Sequence, residues 1–305
     1  MKITVLDLGN YNIKVLDVDS NKKISFSSKV SMDYENTPEL FNWVKYNEST
    51  VYFEKGNFSM ENVKTNKDFT AQMLYAYAKM YDEDHIDSNL CLLLPTQQMT
   101  IENKSKYMEL KNKEYEFECR ANGVTNKRNI KINDVIVLPE GYVTFFSLNA
   151  ELQKKSILLI DIGGRTSNYC AFINGNLEVN RTMNLGSLDF YERVREANIS
   201  KQYELKDMER FIKNGQATVY KKDYIRFYND IIEDIQAHNC ILSHFDNIVF
   251  SGGGSSLLNE IKDKIPDNAE ILENNLYSNV IGAAAVAKKK WGADNGQAES
   301  NRKAK

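Results

Sequence analysis

The residues best suited to bind a ligand are two aspartates. Each lies near the end of an apolar, strand-like run and is followed two positions later by glycine. The runs are Val5–Gly9 and Leu159–Gly163. Glycine at this position lets the backbone turn sharply and lets successive N–H groups approach an anion closely. The two carboxylates, Asp7 and Asp161, would repel each other in an empty site, whereas a hydrated Mg²⁺ ion would neutralise them. One such motif alone is an ordinary β-turn, but two in matching context predict phosphate binding.

Charged and glycine-rich residues around these turns extend the prediction. Lys14 is placed to add a positive charge to the first turn, and Arg165 in the second either contacts a phosphate or points to solvent. Ser251–Ser255 contains three successive glycines after an apolar run, which would let a flat ligand lie against the backbone at a helix N-terminus. The alternative is a glycine-rich helix start capped by Ser255 or Ser256. The spacing is not that of a dinucleotide fingerprint.

The elements that must position these residues form a pattern that occurs twice. Each Asp-x-Gly opens a three-stranded meander followed by helices, which predicts two similar α/β domains with a ligand in the crevice between them. The predicted domains are 1–150, completed by a C-terminal helix at 276–291, and 151–275, with a disordered tail over 292–305. Predicted strands are 3–8, 12–18, 22–30, 51–53, 90–94, 115–119, 129–132, 135–138, 156–160, 168–173, 177–183, 247–250 and 270–272. Predicted helices are 68–81, 139–149, 187–197, 205–213, 221–242, 255–264 and 278–290.

Composition narrows the functional class. The 305 residues are 42% hydrophobic and 27% charged, as in soluble globular proteins. A net charge of −3 gives no electrostatic reason to expect sequence-independent binding of nucleic acid. Four scattered cysteines match no metal or redox spacing, and we expect buried thiols. The chain starts without a signal-peptide pattern, and its apolar runs are shorter than the ~20 residues of a membrane span. We therefore expect a cytoplasmic protein with no membrane partner.

Five segments resemble the actin superfamily of ATPases, in the family's order and across nearly the whole chain. Asp7–Lys14 and Asp161–Asn168 are similar to the two phosphate motifs, and Ile248–Ser255 is similar to the adenosine motif. Leu138–Phe146 and Val280–Lys288 resemble the two connecting helices. Within the superfamily the likeness is greatest to the ParM-type plasmid-segregation actins and their bacterial and archaeal relatives. The resemblance implies two actin-like (ribonuclease H-like) α/β domains flanking a nucleotide cleft.

The resemblance also implies roles for individual residues. Asp7 and Asp161 would hold Mg²⁺ through water, Lys14 would contact the β- and γ-phosphates, and Glu140 would orient or deprotonate the attacking water. Gly186 would border the ribose and base. Asn168 stands where many members have a second acidic residue. The implied nucleotide-binding set is Gly9, Asn10, Tyr11, Asn12, Lys14, Gly163, Gly164, Arg165, Thr166, Gly186, Gly252, Gly253, Gly254 and Ser255.

Three functions are consistent with this resemblance. The leading one is an ATP-dependent filament former, with GTP as a possible substitute, that assembles head to tail for plasmid or DNA segregation. Any DNA link would run through a separate adaptor protein rather than direct nucleic-acid binding. The second is a sugar or carboxylate kinase of the same superfamily, which usually needs larger insertions. The third is a non-hydrolysing scaffold, which normally carries a membrane-targeting helix that the tail after Trp291 is too polar to form.

Overall fold

The computed structural model describes residues 1–33 and 35–303, with side chains described as far as Gly292. The chain divides into two units. The first comprises Met1–Leu94, Gln98–Pro139 and Asn279–Lys305, and the second comprises Pro95–Gln97 and Glu140–Ser278. The chain thus leaves the first unit at Pro139, ahead of the domain boundary predicted at residue 150. The predicted disordered tail falls almost entirely on residues 293–305, whose side chains or backbone lie outside this description.

The first unit is built on a nine-stranded mixed sheet. Its strands are β1 (Lys2–Leu8), β2 (Asn12–Asp17), β3 (Lys23–Ser27), β4 (Val30–Ser31), β5 (Asn42–Tyr46), β6 (Ser49–Phe53), β7 (His85–Leu94), β8 (Lys113–Ala121) and β9 (Val124–Pro139). The spatial order is β3-β2-β1-β7-β9-β8-β5-β6-β4. The central strand β1 pairs antiparallel with β2 and parallel with β7. Both neighbours of the Asp7 strand are therefore fixed by backbone hydrogen bonds.

Three α-helices belong wholly or mainly to this unit: α1 (Phe69–Met80), α2 (Ile101–Met108) and the C-terminal helix, which is numbered α6 in chain order (Ser278–Lys303). Asp68 caps α1 by accepting a hydrogen bond from the Ala71 N–H. Most of α1 is buried, including the large aromatic side chains of Tyr75 and Tyr77. The Tyr77 hydroxyl, which would be costly to bury alone, donates to Ser88 Oγ at 2.8 Å.

The second unit repeats the central pattern with fewer strands. Its strands are β10 (Ile157–Ile162), β11 (Ser167–Ile173), β12 (Asn176–Met183), β13 (Asn247–Ser251) and β14 (Ala269–Ile271), in the order β12-β11-β10-β13-β14. Its α-helices are α3 (Ser187–Ala197), α4 (Met208–Lys213) and α5 (Lys221–Ala237). Strand β10 pairs antiparallel with β11 and parallel with β13, as β1 does with β2 and β7. The repeat predicted from the two Asp-x-Gly motifs is therefore present in the topology.

Short 3-10 helices complete both units. They lie at Pro38–Leu40, Lys64–Asn66, Thr96–Gln98, Tyr142–Ser147, Leu152–Lys154, Ile199–Lys201, Leu205–Asp207, Leu242–His244, Gly253–Lys264 and Asn275–Tyr277. No helix in the described part of the chain is long and apolar enough to cross a membrane. All four cysteines are free and buried, as expected.

The structure corrects several predicted elements. Pro139 does not begin a helix, because it ends β9 and pairs with Leu94 of β7. The helix that follows is a six-residue 3-10 turn, reached through Gly141 at φ +70°. The strands predicted at 129–132 and 135–138 are one long strand with a register shift opposite Ser88 and Asn89. The helix predicted at 255–264 is 3-10 rather than α, and α5 ends at Ala237 instead of residue 242.

One α-helix and one β-strand were missing from the sequence-based prediction, besides several short 3-10 helices. Helix α2 buries only Tyr107 among its eight residues. Its sequence is therefore mostly polar and lacks the regular spacing of apolar residues that predicts a helix. Strand β5 likewise has one fully buried residue, Val44, and lies between β6 and β8. Each element is stabilised in part by a strand further along the chain, β9 for α2 and β8 for β5, which a local pattern does not reveal.

Candidate functional site

The first Asp-x-Gly forms a tight turn between β1 and β2. Leu8 pairs with Ile13 and Asp7 pairs with Lys14, so the turn itself is Gly9–Asn12. A Cβ atom on Gly9 would lie 2.3 Å from the Asn12 carbonyl oxygen and 3.1 Å from Lys14 Nζ. Only glycine fits that space, which explains its position two residues after the aspartate.

The Asp7 carboxylate is held between two ammonium groups. Lys14 Nζ donates to Oδ2 at 3.0 Å, and Lys64 Nζ donates to Oδ1 at 2.6 Å. Asp7 and Lys64 are only 3% and 2% exposed. Burial alone would raise the pKa of Asp7, but the charges of Lys14 and Lys64 outweigh it and hold the pKa well below its usual value. Asp7 is therefore ionised throughout the neutral range.

The turn residues beyond Gly9 are fixed from two further segments. The Ser28 hydroxyl donates to the Asn10 carbonyl at 2.7 Å, and the Ser28 N–H donates to the Tyr11 carbonyl at 3.0 Å. Lys67 Nζ donates to the Asn10 side-chain oxygen. The Tyr11 ring packs on Phe58 with centroids 4.8 Å apart. Three lysine ammonium groups and one carboxylate thus surround a single turn.

The second Asp-x-Gly forms an equivalent turn between β10 and β11. Ile162 pairs with Ser167 and Asp161 pairs with Asn168, which again leaves four residues in the turn. The Gly163 N–H donates to the Thr166 carbonyl at 3.0 Å, and a Cβ on Gly163 would lie 2.6 Å from that oxygen. Gly164, Arg165 and Thr166 are partly exposed at its tip. The two hairpins therefore share length, register and the reason for their first glycine.

Helix α3 begins against the second turn. The N–H groups of Ser187 and Leu188 donate to the carbonyls of Gly163 and Gly164 at 2.9 and 2.8 Å. A Cβ on Gly186 would lie 2.5 Å from the Gly164 oxygen, so this glycine is required by the close approach of helix and turn. The Asp189 carboxylate accepts from the Gly186 N–H at 2.7 Å. The first turn of α3 thereby positions the backbone of the Gly163–Thr166 turn.

The three-glycine run packs mainly against the Asp161 strand. Gly252 has φ +79°, and a Cβ there would lie 2.3 Å from the Ile162 oxygen and 2.7 Å from Asp161 Oδ1. A Cβ on Gly254 would lie 2.5 Å from Ile162 Cγ2. The buried Ser255 hydroxyl donates to the Gly252 carbonyl at 2.8 Å. Gly253 is exposed, so its backbone is the part of the run that a ligand reaches most directly.

Glu140 lies at the junction between β9 and the Tyr142–Ser147 turn, not inside a helix as predicted. It is 7% exposed, and its Oε2 accepts a hydrogen bond from Asn168 Nδ2 at 3.5 Å. Asn168 Oδ1 in turn accepts from the Thr182 hydroxyl at 2.7 Å. The Gln97 N–H donates to Thr182 Oγ1 at 3.3 Å. A relay of neutral groups therefore orients a buried carboxyl group.

The predicted site residues fall into two groups, one in each unit. The first unit brings together Asp7, Gly9, Asn10, Tyr11, Asn12 and Lys14. The second brings together Glu140, Asp161, Gly163, Gly164, Arg165, Thr166, Gly186, Gly252, Gly253, Gly254 and Ser255. Sequence reasoning missed Lys64 and Lys67, because both lie in a polar segment with no glycine or periodic signal. Only their contacts with the first turn reveal them.

The residues present fit a polyphosphate with a hydrated cation. The ammonium groups of Lys14, Lys64 and Lys67 lie at the first turn, and ammonium groups form strong hydrogen bonds with phosphate oxygens. Asp161 is buried at the end of its strand, where Ser251 Oγ donates to Oδ1 at 3.3 Å. No group of three acidic, histidine or cysteine side chains forms a metal cage among the described residues. One or two carboxylates with water and phosphate oxygens are the usual surroundings of Mg²⁺.

Comparison with known proteins places this fold in the actin-like class. Residues 6–142 match the family model described as the N-terminal domain of actin like proteins. This match and the similar solved structures confirm the resemblance to actin-like proteins that the sequence motifs indicated. No curated protein sequence matches the chain.

Solved structures extend the fold match to nearly the whole chain. A non-polymerisable quadruple mutant of the pCBH ParM protein superposes with a TM-score of 0.76 and 19% identity, covering 94% of this chain and 99% of that one. A 15-stranded ParM filament from Clostridium botulinum gives 0.74 and 20%, with 94% and 99% covered. An archaeal actin homologue in complex with ADP gives 0.75 and 18%, with 95% and 100% covered. The mixed α/β fold is therefore that of ParM and related actin-like proteins.

Proposed function

We propose that this protein is a polymerising actin-like ATPase, which binds and hydrolyses Mg-ATP and assembles head to tail into filaments. The observation that carries the proposal is the pair of equivalent Asp-x-Gly hairpins, of which the first is contacted by Lys64 and Lys67 and contains Lys14. The similar structures support it, since they include a filament and an ADP complex. A role in plasmid or DNA segregation through an adaptor protein, in the cytoplasm, follows from the same likeness.

The roles proposed for individual residues follow from their surroundings. Lys14 and the backbone of the two turns bind phosphate oxygens, and Gly253 contacts the adenosine. Asp7 and Asp161 would hold Mg²⁺ through its water ligands, and the ion would neutralise charge on the phosphates. The Glu140 carboxylate orients the attacking water and accepts its proton. Asn168 keeps that carboxylate in place through its amide group.

One experiment tests ATPase and filament formation together. Purified protein is mixed with Mg-ATP, and light scattering is recorded alongside phosphate release. We expect scattering to rise and then decay as phosphate appears, because hydrolysis weakens the contacts of the nucleotide-bound polymer. Phosphate release with no scattering at any salt or crowding condition would contradict the filament and favour a small-molecule kinase. Repeating the assay with Mg-GTP measures nucleotide preference.

The Glu140 role has its own test. Glu140→Gln removes the proton acceptor while keeping the size of the side chain and its capacity to accept from Asn168. We expect nucleotide binding to be retained and single-turnover hydrolysis to slow by about 100-fold or more. The matched control is Glu151→Gln, an exposed glutamate of the same unit, which should hydrolyse ATP normally. Unchanged hydrolysis in Glu140→Gln would remove this residue from the mechanism.

A further inference from the structure

The hydroxyl of Thr182 lies at the centre of the hydrogen-bonded chain that ends at Glu140. Thr182 is 7% exposed and pairs with Asn168 in the β11–β12 ladder, so the two side chains lie on the same face of the sheet. Its hydroxyl accepts the Gln97 N–H at 3.3 Å and donates to Asn168 Oδ1 at 2.7 Å. A hydroxyl has a single proton, so an oxygen that accepts from a backbone N–H can give that proton to the amide oxygen. The backbone N–H of Gln97 therefore determines the direction of both hydrogen bonds.

The segment that contains Gln97 is attached to β12, the outer strand of the second sheet. Pro95–Gln97 belongs to the second unit, although the residues on both sides of it in the sequence belong to the first. The Thr96 hydroxyl donates to Asn180 Oδ1 at 2.7 Å, and the Gln97 side-chain amide donates to the Thr182 carbonyl. An outer strand has backbone groups that no further strand satisfies, and this segment supplies a partner for one of them. These contacts hold the Gln97 N–H against Thr182.

The Asn168 amide has two possible orientations, which differ in whether its nitrogen or its oxygen faces Glu140. Asn168 is only 1% exposed, so bulk water stabilises neither orientation. Because Oδ1 accepts from Thr182, Nδ2 lies on the other side of the amide, 3.5 Å from Glu140 Oε2. The reversed amide would bring an oxygen toward the carboxylate and would leave the Thr182 proton without its acceptor. Thr182 thus selects the orientation in which Asn168 donates to Glu140.

We infer that Thr182 is a positioning residue for hydrolysis, which acts on the Glu140 carboxylate through the orientation of the Asn168 amide. Donation from Asn168 restrains the rotation of the carboxyl group. A general base must present an oxygen within hydrogen-bond reach of the proton that it accepts, so this rotation matters for the rate. The inference rests on the proposed hydrolysis and deepens it, because it assigns the direction of the base to a residue outside both turns.

The test compares Thr182→Val, which removes the hydroxyl and keeps the branched shape, with Thr182→Ser, which keeps the hydroxyl. Single-turnover hydrolysis of Mg-ATP and calorimetric titration of ADP are measured on the full-length protein. We expect Thr182→Val to hydrolyse ATP about tenfold more slowly while ADP affinity stays within about twofold, because the base is misdirected and the phosphate contacts are unchanged. Thr182→Ser should retain most of the rate. The control is Thr218→Val, the same change at an exposed threonine of the second unit, which should hydrolyse ATP normally.

Two further measurements separate this chain of contacts from a general loss of structure. In an Asn168→Ala background, Thr182→Val should slow hydrolysis no further, because its effect passes through the Asn168 amide. In nuclear magnetic resonance spectra of the ligand-free protein with isotopically labelled asparagine, the side-chain amide signals of Asn168 are identified by their absence from Asn168→Ala. We expect these signals to shift in Thr182→Val and to stay close to their original positions in Thr182→Ser.

The remaining outcomes are equally definite. A normal rate in Thr182→Val would overturn the inference while leaving the proposed function intact, and a normal rate in Thr182→Ala would have the same meaning if Thr182→Val fails to fold. Equal losses in Thr182→Val and Thr182→Ser would also overturn it, because the methyl group rather than the hydroxyl would then be responsible. Further slowing in the Asn168→Ala background would contradict the route through the amide. No hydrolysis by the unmodified protein would refute the proposed function itself, and the inference with it.

Discussion

Residues at equivalent positions of the two hairpins carry different chemistry. Lys14 lies opposite Asp7, and Asn168 lies opposite Asp161, in the same register of the same turn. Lys14 forms an ion pair with Asp7, whereas Asn168 forms hydrogen bonds with Glu140 and Thr182. The first hairpin therefore concentrates positive charge, while the second positions a carboxyl group. The same hairpin geometry therefore places a lysine beside one aspartate and an asparagine beside the other.

The Asp7–Lys64 pair makes a strong prediction for stability. Asp7→Asn removes a buried carboxylate that the ammonium groups of Lys14 and Lys64 both contact, so we expect the free energy of unfolding to fall by about 3–5 kcal/mol. The double variant Asp7→Asn/Lys64→Met removes both charges and should recover most of that loss. Urea denaturation of the two single variants and the double variant measures the coupling. Additive losses would mean that the two charges do not stabilise each other.

Asn168 offers a test of the proposed role of Glu140 as the catalytic base. Asn168→Asp would place a second negative charge beside Glu140, and a like charge disfavours the ionised form and raises its pKa. If Glu140 acts as the base, the acidic limb of the pH–rate profile for hydrolysis should move to higher pH. Asn176→Asp adds the same charge at the exposed start of β12, six residues before Thr182, and serves as the control. An unshifted profile in Asn168→Asp would separate Asn168 from catalysis.

Elements position the site by approaching one another so closely that only glycine fits. The start of α3 contacts the second turn at Gly186, and the end of β13 contacts the Asp161 strand at Gly252. These contacts involve backbone atoms, which cannot move aside as a side chain can. The geometry around Asp161 is thus set by three segments of the second unit, and it depends on the absence of a Cβ where they meet.

Two glycines that both have positive φ separate this effect from the cost of positive φ itself. Gly252→Ala adds a Cβ at φ +79° that clashes with Ile162 and Asp161, whereas Gly215→Ala adds one at φ +66° with no atom within 4 Å. We expect losses in unfolding free energy of about 1 kcal/mol for Gly215→Ala and about 2–4 kcal/mol for Gly252→Ala. Denaturant titration compares them. Equal losses would show that φ alone matters at Gly252.

On the scale of the whole molecule, the chain returns to its first unit at the C-terminus. Trp291 lies in α6, and its indole N–H donates to Asp134 Oδ2 of β9 at 3.0 Å. Lys111 Nζ lies 2.8 Å from the other oxygen of the same carboxylate. Partial burial alone would raise the pKa of Asp134, but the hydrogen bonds from Lys111 and Trp291 outweigh it and lower the pKa to about 2. The first unit therefore contains both ends of the described chain.

This anchor should be sensitive to pH. Because the folded-state pKa of Asp134 is below its unfolded value, its contribution is complete above about pH 4 and is lost as the pH falls toward 2. Asp134→Asn should therefore lower the unfolding free energy by about 1 kcal/mol at pH 7, after allowance for solvent screening, and by progressively less in acid. Thermal unfolding of both proteins between pH 2 and 7 checks this. A difference that stays constant with pH would contradict the ionic origin.

Some features of this protein could be predicted from the sequence alone. The strand–turn–strand at Asp7 and its repeat at Asp161 depend on an apolar run, a short-range turn and a glycine, all of which are local. Helices α1 and α3 follow the same logic, since an apolar period and a capping residue determine them. The division into two similar α/β halves could be predicted because the same local signal occurs twice.

Other features were decided only by the tertiary structure. Lys64 meets Asp7 because the sheet and α2 bring a distant polar segment to the first turn. Glu140 meets Asn168 because the Tyr142–Ser147 turn that follows it packs against β11. Pro139 completes a strand, against its preference for a helix start, because pairing with Leu94 fixes its backbone. Buried polar contacts depend on which segments the sheet order makes neighbours. That order is set by packing over the whole chain, so the hairpins could be found in the sequence while the partners of their charged groups could not.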